Sequence, residues 1–405
     1  GKEGVMTTID IDIPTVTDSE SAFHAAAAIS SVLARNSVVS ERDGKPPRDE
    51  IALLRKSGLL RYLVPQRHGG PGGTWPDALR ITRTIAGGNG SVGQLLGYHY
   101  LNSITPRVVG TAEQADAAEA GTAAHNWFFA DSVNPLDPDL AVTRNGGGFV
   151  LSGRKPFSTG AFVADRILLA FVSDGLLAFA LVPADRKGLR ANDDFDFIGL
   201  RQSVSGTVDF DSVEVYPEEI LGTGLVDPAR QTPAANLLTP LIQAVFSNVY
   251  LGIAEAALST AADYTRTQSR PWFKSGLRKA TDDPHVKLRY GEFVSSLDAA
   301  VALAEKVARE QQAGLAKGEA LTADERAAIA IATYKSKVVS TKVALEVTSG
   351  IFELTGARST ARKFGFDRFW RDVRTHTLHD PVAYKAEEVG AYFLEGEHPL
   401  PTFYS

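Results

Sequence analysis

Phe369-Trp370-Arg371-Asp372-Val373-Arg374-Thr375-His376-Thr377-Leu378-His379-Asp380-Pro381 is the stretch on which the reading of this chain turns. Its second half packs two of only eight histidines and a carboxylate into five residues, then meets a proline. Imidazole is the side chain whose ordinary pKa lies nearest neutrality, which suits it to holding and passing protons. Asp-Pro also makes a good helix start, with Asp380 as N-cap and Pro381 in the first helical position. Val382, Ala386, Val389 and Phe393 then share one helical face. Capping accounts for Asp380. No such structural role accounts for His379, which is therefore the expected catalytic residue.

A chain of 405 residues, 44% hydrophobic and 22% charged, can bury a sizeable core as two or three domains or one layered unit. It has no cysteine, which excludes disulfides, a thiolate nucleophile and Cys-ligated metal. The net charge of −6 argues against general nucleic-acid binding. No apolar run reads as long enough to span a bilayer, and no signal peptide is visible, so a cytoplasmic location is expected. Residues 1–5 precede Met6, the only methionine, and read as a cloning remnant.

The texture changes twice along the chain, which divides it into 1–122, 123–230 and 231–405. In the first part, 21–34 and 48–60 have helical spacing, and Gly69-Gly70-Pro71-Gly72-Gly73 reads as a loop before a helix near Pro76-Asp77. In the middle, 149–151, 166–172, 176–182 and 207–215 read as strands of a small antiparallel domain. In the last part, Ile242, Val245, Phe246, Val249 and Ile253 form one stripe and Tyr290, Phe293, Val294, Leu297 and Val301 another. Thr322-Ala323-Asp324-Glu325 is a capping box opening a third helix, and a fourth is expected from Asp380, so the part reads as a four-helix bundle.

This order of helices, β-domain and helical bundle resembles the acyl-CoA dehydrogenase fold, and the motifs agree along nearly the whole chain. Pro65-Gln66-Arg67-His68-Gly69-Gly70 resembles that superfamily's early Pro-x-x-x-Gly-Gly turn. Ile198-Gly199-Leu200-Arg201 with Ser205-Gly206-Thr207-Val208-Asp209-Phe210 resembles its strand signature, and 251–258 its first bundle helix. Tyr264-Thr265-Arg266-Thr267-Gln268-Ser269-Arg270-Pro271-Trp272, Ala280-Thr281-Asp282-Asp283-Pro284 and the opening stretch are similar to the dibenzothiophene monooxygenase group, which includes indole-type hydroxylases of natural-product pathways. Dehydrogenases commonly carry a catalytic Glu where this chain reads His379-Asp380-Pro381. Glu255 and Glu353 stand in no motif of that base, so acyl-CoA dehydrogenation is the less favoured alternative, with a non-catalytic scaffold as a third.

The resemblance implies a two-component oxygenase. Reduced FMN or FAD would come from a separate NAD(P)H:flavin reductase and react with O2 through a C4a-hydroperoxyflavin. The outcome would be ring hydroxylation of an indole-like substrate or S-oxygenation of an organosulfur compound. It further implies catalytic roles for His379, Asp380, His99, Thr159 and Asn126. Flavin contacts would come from Asn126, Trp127, Phe157, Ser158, Thr159 and His379, with Phe195 or Phe197 over the ring and Arg270 and Arg358 on the phosphate. Tyr98, His99, Tyr100, Phe246 and Tyr250 would meet the substrate. Thr159 stands where the group usually has Ser. The expected assembly is a homotetramer, a dimer of dimers in which different subunits share a flavin. No metal site and no nicotinamide-binding Gly-x-Gly-x-x-Gly are expected.

Overall fold

The computed structural model describes residues 12–134, 140–402 and 405; residues 1–5 lie outside them. Five helices come first. α1 (Ser19–Asp43) opens on a capping box between Asp18 and Ser21 and stops at Gly44 with φ +59°. α2 (Arg48–Ser57) ends at Gly58, α3 (Trp75–Gly88) starts on Thr74, and α4 (Gly90–Val109) starts on Asn89. α5 (Ala112–His125) carries a second capping box, Thr111 with Gln114, and runs three residues past the expected boundary at 122. The glycine loop at 69–73 serves close packing: a Cβ on Gly73 would lie 2.3 Å from the Tyr62 ring.

Two sheets follow. β1 (Phe129–Ser132), β4 (Arg166–Ser173) and β5 (Leu176–Pro183) form one; β2 (Leu140–Asn145), β3 (Gly148–Lys155), β7 (Val208–Val215) and β6 (Leu189–Ala191) form the other, in the orders β1-β4-β5 and β2-β3-β7-β6. β4 and β5 join through Asp174-Gly175, both with positive φ, a turn whose twist matches its strands. The antiparallel expectation needs one correction, because β1 runs parallel to β4. The chain arrives from α5 on the same side as it enters β4 and crosses over through β2 and β3. Phe149, Leu151, Ile167, Phe171, Val182 and Val213 fill the space between the sheets.

The last part is built on α6 (Leu238–Thr267), α7 (Pro284–Lys317) and α8 (Ala323–Thr355). Gln243 bonds Lys337 and Thr265 bonds the Leu354 carbonyl, so α6 and α8 run parallel. Gln311 bonds the Pro240 carbonyl and Tyr290 bonds Thr265, so α7 runs against them. The first half of α6, up to Ala254, is buried on nearly every side, as an apolar core helix must be, while its second half exposes Glu255, Ser259, Asp263 and Arg266 along one face. It is long and apolar enough to cross a membrane, contrary to the reading of the sequence, and it is mostly buried inside the protein instead.

α9 (Asp367–Thr377) and α10 (Val382–Glu395) close the fold. α10 begins one residue later than expected, with Pro381 at the N-cap and no side-chain capping bond. The Asp380 carboxylate is therefore not a cap. Only part of the expected apolar face of α10 is buried. Val389 packs near Ala330, Ile331 and Tyr334, while Phe393 is 86% exposed.

Candidate active site

His376 of the opening stretch meets α4 and α6 in the core, with His379 beside it nearer the surface. His376 is buried between two tyrosines, with its Nε2 2.9 Å from the Tyr98 hydroxyl and its Nδ1 2.6 Å from the Tyr250 hydroxyl. Burial, then the neighbouring His379 and Lys337, hold His376 well below the ordinary imidazole pKa, so it is neutral. His379 stacks on it, with ring centroids 5.5 Å apart and planes at 5°. Phe246 lies against both, at 4.4 Å from His376 and 4.8 Å from His379. The reason is local. The turn after α9 is closed by the His379 N–H donating to the His376 carbonyl, which brings the two rings face to face.

His379 is the more open of the pair, with 40% of its side chain exposed. Its Nδ1 is 3.0 Å from Asp380 Oδ1. That carboxylate oxygen also accepts from Gln243 Nε2 at 3.2 Å and from Lys337 Nζ at 3.4 Å. Burial opposes the charge on Asp380, but the His379 bond, the Lys337 ammonium and Gln243 outweigh it and hold the carboxyl well below its usual range. Its second oxygen, Oδ2, is buried without a hydrogen bond to the protein. The Lys337 side chain is fully buried, and burial pushes its ammonium down to about 8. A cleft of about 420 Å³ opens at His379 and Asp380 and extends along Tyr384, Lys385 and Glu388 to Ser405. An imidazole held by a carboxylate at the mouth of such a cleft can take or give a proton.

The cleft is lined by residues 379–405, and the β-domain meets the histidine pair through α4 instead. Burial raises Asp131 on β1 to about 6, and Asn102 of α4 donates to it. Tyr98 on α4 bonds His376, and Asn102, one helical turn further along α4, bonds Asp131, so one helix links the histidine pair to the β-domain edge. At the end of β1, Ser132 and Ser158 bond at 2.8 Å, and nearby Thr159 and Ser205 bond at 2.8 Å. Gly160 keeps this turn against α4, with φ +80° and a would-be Cβ 3.1 Å from Leu95. Beside the hydroxyls, Phe157 stands 59% exposed with φ +52°, near the exposed Phe197, which stacks on Phe195 at 4.5 Å. An uncovered aromatic shelf beside a row of hydroxyls fits a flat ring with a polar edge, as in a flavin. Asn126 ends α5 at φ +51°, and its Oδ1 is buried without a protein partner, a second sign that a polar ligand group belongs there.

Several expected residues do other work. His99 donates from Nε2 to the Leu60 carbonyl and accepts the Phe129 N–H at Nδ1. Both ring nitrogens are spent on backbone, and burial lowers its pKa to about 4, so it is neither catalyst nor substrate ligand. The Tyr100 hydroxyl is likewise bound to the Leu59 carbonyl. Trp127 is half-buried and packs under the Arg166 guanidinium at 3.9 Å and beside the exposed His125. Arg270 and Arg358 are exposed just beyond the C-terminal ends of α6 and α8. Phe246 and Gln243 lie near the other end, and at 1.5 Å rise per residue the separation is about 30 Å. That is too far for one flavin mononucleotide to touch both Arg270 and His379 of the same chain.

Among the described residues, His68, Asp116 and Glu119 also converge, from segments far apart in sequence. Arg107 pairs with the two carboxylates at 2.7 and 2.9 Å and Arg67 with both at 3.6 Å, so two guanidiniums already balance the two charges. Sequence reasoning missed Lys337, Gln243 and Asp131. A lysine on the inner face of α8 was the one available signal, since lysine is rarely buried without a partner.

Residues 244–383 match the family model for the acyl-CoA dehydrogenase C-terminal domain. The chain is 41% identical over 382 residues to a dibenzothiophene monooxygenase of Rhodococcus qingshengii, covering 91% of this chain and 92% of that protein. It superposes with a TM-score of 0.91 and 38% identity on TdsC of Paenibacillus sp. A11-2, solved with FMN and indole, covering 95% of this chain and 100% of that one. The methanesulfinate monooxygenase MsuC of Pseudomonas fluorescens gives a TM-score of 0.90 at 37% identity, covering 94% of this chain and 98% of that one.

Proposed function

This chain belongs to the dibenzothiophene monooxygenase family of flavin-dependent monooxygenases with the acyl-CoA dehydrogenase fold, and from that premise we propose that it oxygenates a small, flat, hydrophobic heteroaromatic or organosulfur compound beside His379. It is an oxidoreductase that uses reduced flavin and O2. Reduced flavin, when bound, supplies the two electrons that activate O2 and carries the oxygen to the substrate. One oxygen atom enters the product and the other leaves as water. We take FMN as the form used, delivered in the cytoplasm by a separate NAD(P)H:flavin reductase.

One observation carries the proposal: His379 is held by Asp380, stacked on a neutral His376 and floored by Phe246 at the mouth of the cleft. Asp380 fixes the His379 proton on Nδ1, so Nε2 is the nitrogen that handles the proton of the reacting oxygen. Tyr98, Phe246 and Tyr250 provide the aromatic surroundings that select a flat apolar substrate. Phe157, Phe197, Thr159 and Asn126 are assigned to the flavin ring, with the Thr159 hydroxyl, bonded to Ser205, still able to make a further bond. Given their distance from His379, Arg270 and Arg358 are assigned to the phosphate of a flavin shared with a second copy in a homotetramer.

The test mixes the protein with chemically reduced FMN and air-saturated buffer, with indole, dibenzothiophene or a sulfinate as substrate. Product and hydrogen peroxide are both measured. Oxygenated product from the wild type, replaced by peroxide in His379→Ala, is the expected result. The absence of product from every substrate, together with acyl-CoA-dependent dye reduction, would refute it.

A further inference from the structure

Lys337 is buried where a lysine is costly. Its ammonium lies 4.8 Å from the centre of the Phe246 ring and 5.5 Å from that of Tyr250, among groups that a methionine would pack equally well. A buried ion pair seldom outperforms such an apolar replacement in stability. What the lysine adds is geometry. It donates to Gln243 Oε1 at 2.9 Å and to Asp380 Oδ1 at 3.4 Å, while the Gln243 amide donates to that same Asp380 oxygen at 3.2 Å. The three side chains close a ring that ties α8, α6 and the turn before α10 together. The carboxylate so held is the one that binds His379 Nδ1 at 3.0 Å. Its other oxygen has no protein partner, so nothing else aims it.

We propose that Lys337 is a positioning residue of the monooxygenase reaction: with Gln243 it fixes the Asp380 carboxylate, which in turn holds His379 in one orientation with its proton on Nδ1. Lys337 touches neither substrate nor flavin and acts only through Asp380. This inference rests on the assignment of His379 to proton handling.

The test uses Lys337→Met, Asp380→Asn and the double variant, each checked for folding by thermal unfolding. In the flavin-free protein, side-chain ¹⁵N shifts of His379 report which ring nitrogen carries the proton. In turnover with reduced FMN and indole, the ratio of product to hydrogen peroxide reports coupling. Lys337→Met is expected to give His379 a mixed tautomer and to lower the ratio about tenfold, with the KM for indole unchanged. The double variant is expected to be no worse than Asp380→Asn alone. A second measurement needs no Lys337 variant: the Lys337 ammonium ¹⁵N signal must shift in Asp380→Asn. An unchanged His379 tautomer in Lys337→Met, independent effects that multiply, or an unmoved ammonium signal overturns the inference. If the ¹⁵N results hold while the wild type oxygenates no substrate, the positioning role stands and the proposed function falls.

Discussion

Asp372 offers the sharpest test of the electrostatics that hold the site together. It lies on α9, buried, and its Oδ1 accepts the Leu200 N–H at 2.7 Å, pinning the 198–205 segment against the helix that carries His376. Burial pushes its carboxyl up to about 7 from 3.8, and Glu41 reinforces the shift while the Leu200 bond, Arg371 and Arg368 oppose it. The folded protein therefore keeps a proton that the unfolded chain releases. This favours folding fully below about pH 4, and the advantage is lost as pH rises to about 7. A shift of about 3 units corresponds to about 4 kcal/mol between the two ends. Asp372→Asn keeps a carbonyl for the Leu200 N–H and removes the charge. The variant is expected to match the wild type near pH 4 and to be more stable by about 2–4 kcal/mol at pH 8. Thermal unfolding followed by circular dichroism at pH 4.5, 6 and 8 measures this directly. A stability gap that fails to widen with pH, or a variant weaker than wild type at pH 8, would show that the Asp372 charge is compensated and that the reasoning is wrong.

Tyr250→Phe strips the hydroxyl from His376 Nδ1 and is expected to cost about 1–3 kcal/mol in thermal unfolding, the usual penalty for a buried nitrogen left without its partner. Gly97→Ala would place a methyl 2.4 Å from Val245 Cγ1 and 2.9 Å from Thr82 Cγ2, where α4 crosses α3 and α6. Overpacking of about 1–3 kcal/mol is expected, read as a lower Tm. Arg270→Ala, at an exposed position, is expected to leave Tm unchanged and weaken FMN binding about tenfold or more, measured by fluorescence titration. Unchanged FMN affinity would remove Arg270 from the phosphate site.

The division between what could be read and what could not is physical. Caps, turn residues and hydrophobic spacing are local signals, and they were enough for the order of helices, strands and bundle. The capping box at Thr322 and the stop at Gly58 act within a few residues of themselves. The His379-Asp380 pair was legible for the same reason, because its two members are adjacent. Asp380 was misread as a cap because Asp-Pro looks alike whether the carboxylate turns toward its own helix or toward a lysine 43 residues away. His99 and His376 are both buried histidines flanked by tyrosine partners or neighbours in space, and only packing distinguishes them: one spends its ring on backbone, the other meets two phenols. Sequence alone determined that a β-domain would stand between two helical parts and that an imidazole would stand beside a carboxylate. Tertiary structure alone decided which buried charges meet, since the cost of an unpaired charge in the core is settled by whatever residue the fold brings within about 4 Å, however distant along the chain.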